Sequence, residues 1–467
     1  MNRFISSIRS KLLPIGLVVI LAMPVGCTTH AKRIANLRNS FHNGDLESAN
    51  TETEKLLKKS RKDQTLVQMD ESLLRLAEGK PNETEVLLRQ VRDQFVAPDP
   101  LSEIGKVSSY VLDDQSRSFQ PDDYEQLFVL MYLAISNLVQ NGDDAYAYAN
   151  QIADLQQKID RKLANARKVP PSDKDDEKAS AESTPTEDVQ PVKHKQIALA
   201  PYIAAILHEQ THRDYDTAER YYQKTLEYYP SFREGILGLQ RVQTGRHSEK
   251  GNGVLHVFVA VGKGPFKVEK AEVPTSHAML IADRILSAVG DHTLPPTLAP
   301  IKTARVVVPK NEVQTVRVLV DSKVAGETET VTDLGQIALE QDRAKQDLET
   351  ARAIVRRIVK KSAIYAGKDA LGTDSHSWTD LLINLGGVLW EASESADTRC
   401  WGLLPEKIQV LRIELPVGTH DVNLIPIGGY STSSYSARVE IQDGSNSYLF
   451  ANFPTANLTG KILVSSR

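Results

Sequence analysis

The sequence predicts an α+β multidomain protein: an N-terminal region of repeated helices, then β-rich and mixed modules that end in a small antiparallel β-sandwich. Three observations predict it. From about residue 30 to residue 165, apolar residues recur three and four apart, the period of an amphipathic helix. Turn signals recur in that region at a roughly regular interval. After Gly251 the period changes to that of strands. The chain has 467 residues, and the roughly 440 left beyond an N-terminal leader are enough for two to four domains at about 100 to 200 residues each.

The leader comes first in order. Arg3, Arg9 and Lys11 form a basic start, and residues 12–23 form an apolar run of roughly a dozen residues, too short for a hydrocarbon core that needs about 20. Small residues then precede a cysteine in "MPVGC". This resembles the lipobox of bacterial lipoproteins, with Pro24 where that family prefers leucine. The resemblance implies cleavage of residues 1–26 and lipidation of Cys27, whose thiol takes diacylglycerol and whose freed amine is acylated. Thr28, in place of aspartate, implies sorting to the outer membrane, facing the periplasm.

Charge and cysteine content narrow the remaining classes. The formal net charge is −4 with acids and bases interspersed, so no field selects nucleic acid, and no nucleic-acid partner is expected. There are two cysteines. With Cys27 lipidated, Cys400 has no intrachain partner, and it is expected as a small buried apolar residue.

Residues 27–167 are expected as helical repeats. Tetratricopeptide units run about 34 residues and turn at a Gly-Asp-aromatic step, with a small residue where their two helices cross. Gly44-Asp45-Leu46 with Ala49 fits that turn. Gly79 follows 35 positions later, and Gly142-Asp143 with Ala147 follows after a further 63, near two periods. Residues 168–193 are rich in Pro, Ser and charge, and are expected as a disordered linker. Residues 194–250 hold the best unit, "YIAAILHEQTHRDYDTAERYYQKTLEYYP". It resembles the tetratricopeptide consensus. Asp214-Tyr215 make the turn, Ala218 sits at the crossing, Tyr222 and Leu226 face inward, and Pro230 closes the unit.

Residues 251–400 are expected as a mixed module. "VLHVFVAVG" is a continuous apolar run typical of a buried strand, and Val316, Val318 and Val320 alternate along another. A sheet is expected over 253–321, interrupted by a short helix near 277–289. Ile337, Ala344, Leu348, Ala351, Val355 and Ile358 mark an amphipathic helix about 30 residues long. Trp378, Leu381, Leu382, Leu385 and Leu389 mark a second. Residues 401–467 carry five short strands, at 408–415, 421–427, 435–441, 448–453 and 461–464, separated by "PVGT" and "DGSN" turns, the pattern of a sandwich.

The order of these parts, with "VFVAVGKGPFKVEKAEVP" and "ADTRCWGLLPEKIQVLRIELPVGTHDV", resembles an uncharacterised family of bacterial tetratricopeptide-repeat lipoproteins. Residues 405–467 alone are similar to PEGA-type extracytoplasmic β-modules, which have no catalytic chemistry. The resemblance also implies proximity to lipoproteins that activate peptidoglycan synthases.

One motif points to catalysis. "HEQTH" places His208 and His212 one helical turn apart around Glu209, the pattern by which zincins hold zinc and activate water. Arg213-Asp214 follow, where zincin helices continue, and no clear third-ligand motif appears. "VGKGPFK" lacks phosphate-loop spacing, and "IGGYSTSSYS" lacks a nucleophile elbow.

The expected protein is therefore a lipid-anchored envelope scaffold without enzymatic activity. It needs no catalytic residue and no cofactor, touches a membrane through its lipid, and holds an unidentified envelope protein in a groove of stacked helices. Two alternatives stand beside it: a zinc-dependent hydrolase built on His208, Glu209 and His212, and a structural envelope protein that binds peptidoglycan or polysaccharide.

Overall fold

The computed structural model describes residues 30–59, 61–94, 118–166, 196–289, 294, 300–370, 395–428 and 433–465. Cys27, the 168–193 segment and the expected helix at 378–389 lie outside the described residues.

The first half is helical. After a single turn α1 (His30–Arg33) come α2 (Ala35–His42), α3 (Leu46–Lys59), α4 (Gln64–Ala77), α5 (Pro81–Arg92), α6 (Asp123–Val139), α7 (Ala145–Ala166), α8 (Leu199–Glu209), α9 (Tyr215–Tyr228) and α10 (Arg233–Gln243). Each of α2 to α9 packs against the next in sequence. The expected turns fall at the junctions: Gly44 between α2 and α3, Gly79 between α4 and α5, residues 140–144 between α6 and α7, and Asp214 between α8 and α9. Gly44 and Gly79 have φ of +79° and +87°, values that a residue without Cβ adopts freely. At the third junction Asn141, with φ +53°, takes the left-handed position instead of Gly142. Gly142 is needed there for room, since a Cβ would come within 2.3 Å of the Asn137 side-chain nitrogen.

α6 and α8 show why some helices lose their amphipathic stripe. "DYEQLFVLMYLAISNLV" is buried along nearly its whole length, because α6 is flanked by α5 and α7 and lies against a sheet strand. Its first turn is closed by a capping box between Asp122 and Glu125.

The strands are β1 (Asn252–Val261), β2 (Phe266–Glu272), β3 (Ile301–Val307), β4 (Thr315–Val320), β5 (Lys323–Glu327), β6 (Glu329–Asp333), β7 (Lys407–Pro416), β8 (Gly418–Ile427), β9 (Tyr435–Ile441), β10 (Asn446–Phe453) and β11 (Leu463–Val464). Two helices accompany them, α11 (Ser276–Val289) and the long amphipathic α12 (Leu334–Ala370), whose 37 residues exceed the expected length. The sheets are β11-β10-β1-β7-β6, β5-β4-β8-β9 and the hairpin β2-β3. All pairings are antiparallel except β1 with β10.

This topology corrects two expectations. The strands of 401–467 do not close a sandwich among themselves: β1 lies between β10 and β7, and β4 pairs with β8. Nor do the strands within 253–321 share a sheet, because β1, the β2-β3 pair and β4 belong to three different ones. A strand's local pattern reports how many of its faces are covered, not which strands lie beside it.

Both faces of the five-stranded sheet are covered, which explains the unbroken apolar run of β1. Leu255, Val257, Val259 and Val261 pack with Val316, Val318, Val320, Val422 and Leu424 of the four-stranded sheet. Phe258 and Ala260, on the opposite face, join the helical core with Val410, Tyr448 and Phe450. The helices and this sheet therefore share one core. A third, smaller core joins α11, α12 and Ile301 of β3.

Candidate functional site

The HEQTH segment straddles a helix end. α8 stops at Glu209, and His212 takes a left-handed conformation at φ +57°. The two imidazoles therefore do not share a helix face as zincin ligands do. His208 Nδ1 lies 3.6 Å from an Asp214 carboxylate oxygen, and its ring stacks on Tyr221. The His212 Nε2 sits 2.7 Å from the Gly444 carbonyl, and its ring lies against His247.

Glu209, between them, is buried and points elsewhere. The Tyr222 hydroxyl donates to one of its oxygens, and Arg241 Nε donates to the other at 3.0 Å. Arg241 also donates to Glu234 at 2.7 Å. These carboxylates hold the Arg241 proton above its ordinary range, while burial, then Glu209, raises the Tyr222 hydroxyl. A general base needs a free carboxylate facing a water or a metal, and Glu209 is an interhelical brace. The donor set does not fit zinc, and among the described residues no group of three or more His, Cys, Asp and Glu side chains is placed to hold a metal ion.

The expected packing residues do come together. Ala218 and Tyr222 are fully buried on α9, Leu226 is half-buried, and Pro230 follows the end of that helix. One partner escaped the sequence reading. Gly238 on α10 lets the helix approach Tyr222 so closely that a Cβ would lie 2.2 Å from its ring. Gly235, one turn earlier, would meet Phe232 and Leu226. Two glycines three apart inside a helix were the available signal.

A dense polar arrangement lies around 397–404, the "DTRCWGLL" segment. It is wedged between α1, α4, α6 and β2. Arg399 bonds Asp63 at 2.9 Å and Asp397 at 2.7 Å. The Trp401 N–H donates to Glu125 at 2.5 Å, and the Gly402 N–H donates to Asp70 at 3.1 Å. Burial pushes the Asp70 carboxyl up to about 7; burial, aided by Asp122, pushes Glu125 up to about 8. Cys400 is buried, receives the Lys267 N–H at 3.4 Å, and has its thiol pushed up to about 12 by burial and Glu125. Such a thiol is a poor nucleophile at neutral pH. The Trp401 ring contacts Tyr132 at 6.0 Å between centroids, joining this segment to the helical core.

Beside it opens a charged cleft of about 380 Å³, lined by the start of α6, β2, β3, α12 and residues 396–399. Lys267 meets Asp122 at 2.6 Å, and Lys345 meets Asp123 at 2.5 Å. Burial, then Asp122, raises the Glu349 carboxyl to about 7. Lys267 and Lys345 face carboxylates, and with Lys302, Arg352, Arg356 and Arg399 the cations lining the cleft outnumber the acids Asp122, Asp342, Glu349 and Asp397.

No helix among the described residues is long and apolar enough to cross a membrane. Compared with family models, curated proteins and solved structures, the chain matches none.

Proposed function

We propose that the protein is a lipid-anchored envelope scaffold that holds a protein partner on the outer faces of its helical pairs and carries out no reaction of its own. The observation that carries the reading is that the groups most suited to chemistry are committed to internal contacts: Glu209 to Tyr222 and Arg241, and Cys400 to a buried site beside Glu125. The helical pairs are of tetratricopeptide type in this reading, supported by Ala218 and Tyr222 at the α8–α9–α10 packing and by the glycine turns at 44 and 79. In this proposal the partner meets the outer faces of the pairs, since Phe258, Val410, Tyr448 and Phe450 of the sheet already share a core with the helices. The outer surface instead offers Ile236 and Leu237, neighbouring exposed apolar residues on α10.

Cys27 is the anchor in this proposal, holding the protein to the outer membrane with its body in the periplasm. Two measurements test the reading. A photocrosslinking residue at Leu237 should trap one protein in cells, whereas the same residue at buried Ala205 should trap none. Metal analysis of the purified protein addresses the enzymatic alternative: stoichiometric zinc that disappears in His208→Ala would replace the scaffold with a hydrolase.

A further inference from the structure

Sheet edges expose unpaired N–H and C=O groups, and proteins normally blunt them with short strands, bulges, charge or cover. Most edges here follow that rule. β11 has two residues, and β5 and β6 have five each with a register shift against their neighbours. β6 is also met by the Arg233 N–H, which donates to Glu329. The β2 side of the hairpin is covered by residues 396–400, and the β3 side by α12.

β9 is different. Its seven residues pair with β8 in an unbroken register. Asp421 of β8 accepts the Asp321 N–H at its carbonyl, so its backbone groups point at β4. Arg438 lies opposite Asp421 and must direct its own N–H and C=O away from β8, as must Ser436 and Glu440. The Ser447 hydroxyl donates to the Glu440 carbonyl, which confirms that parity. The backbone N–H groups of Ser436, Arg438 and Glu440 have no partner among the described residues. Two open cavities, of about 550 and 420 Å³, run along this edge and meet at Arg438 and Val464.

The side chains specify what can pair there. A lone charge on an edge repels its own copy, but β9 carries Arg438 and Glu440 two apart on the same exposed face. Antiparallel pairing of β9 with itself about Val439 sets each Arg438 opposite a Glu440 of the other copy. Centring on Arg438 or Glu440 would oppose like charges. The Val439-centred register also makes the outward groups of Arg438 and Glu440 the hydrogen-bonded pairs, with the Glu440 carbonyl using the lone pair that the Ser447 hydroxyl leaves open. We propose that β9 joins a second copy of this chain in that register, merging two four-stranded sheets into one of eight. The Arg438 side chain is 74% exposed and donates from Nε to Asp421 at 3.2 Å, which leaves its terminal nitrogens to reach across.

The full chain, purified in detergent, should sediment as a reversible dimer. Arg438→Glu opposes two carboxylate pairs and should weaken the dimer about tenfold or more, and Arg438→Glu with Glu440→Arg should restore it. Val439→Cys should give a symmetric disulfide, because a non-hydrogen-bonded antiparallel pair brings Cα atoms to about 4.5 Å, within disulfide range. A chain that stays monomeric at every concentration overturns the proposal, including one whose β9 edge instead takes a strand from another protein. A dimer unaffected by Arg438→Glu and not linked by Val439→Cys overturns it equally.

Discussion

Residues 208–212 and residues 397–404 contain the side chains most suggestive of chemistry in this sequence, and the fold treats them in opposite ways. The first segment runs out of a helix to the surface, where His212 rests on a carbonyl of the β9–β10 turn. The second is drawn inside, where its backbone N–H groups are met by two carboxyls and its arginine by two more. The difference teaches that a motif's residue types say less than where its backbone donors are satisfied. In the first segment only Glu209 enters the interior, and it does so to hold Arg241. The second is polar by sequence yet ties the helical half to the strands.

The sharpest way to break this contrast is at Trp401. Replacing a buried Trp by Ala typically costs about 3 to 5 kcal/mol, so Trp401→Ala should lower the unfolding free energy by that order. His208→Ala should change it by about 1 kcal/mol or less. Chemical denaturation of the two variants makes the comparison, and similar losses would show that 397–404 is not the tie described here.

Next in size is the helical packing. Overpacking a close crossing costs about 1 to 3 kcal/mol, so Gly238→Ala and Ala218→Leu should each destabilise the α8–α10 unit. Glu219→Gln, a change of the same shape that keeps an amide oxygen to accept from Gln243, should do little. Thermal melts that leave Gly238→Ala equal to the parent would mean that Tyr222 moves aside easily.

A smaller effect distinguishes the carboxyls of 397–404 from ordinary surface acids. Asp70 and Glu125 have folded values raised above their unfolded ones, so the native state holds their protons more tightly. The associated stability is fully present below about pH 4 and is lost as pH rises through about 7 to 8. Buried His30 and His42, lowered to about 4 and 3, and His247 and His256, also lowered by burial, work in the opposite sense, but their contribution is nearly complete by about pH 7.5. Between about pH 6.5 and 8 the unfolding free energy should therefore fall, by about 2 kcal/mol or less for Glu125 alone. Glu125→Gln should flatten that slope, and a parent stability that rises over the interval would contradict the assignment.

The smallest expected signal is at Cys400. Its buried, raised thiol should react with a thiol reagent far more slowly in the native protein than in denaturant. Labelling at a similar rate in both states would place the segment at the surface.

Several features were legible without the structure, because they are written in local chemistry. Gly44, Gly79 and Asp214 mark junctions between helices, and the "DGSN" turn joins β9 to β10, because short polar residues and glycine suit turn geometry wherever they occur. The strand positions after residue 405 follow from period-two alternation, and α12 from its apolar stripe. The apolar run of β1 correctly implied cover on both sides.

Only the tertiary structure decided what does the covering. β1 enters between β7 and β10, about 150 and 190 residues away in sequence, since strand pairing depends on non-local register and carries no local code. The same cause lies behind the core shared by helices and sheet, the union of Glu209 with Arg241, and the placing of Cys400 beside Glu125. Each depends on which surfaces meet after the chain has folded, and a sequence window of one helix or one strand contains only half of each such contact.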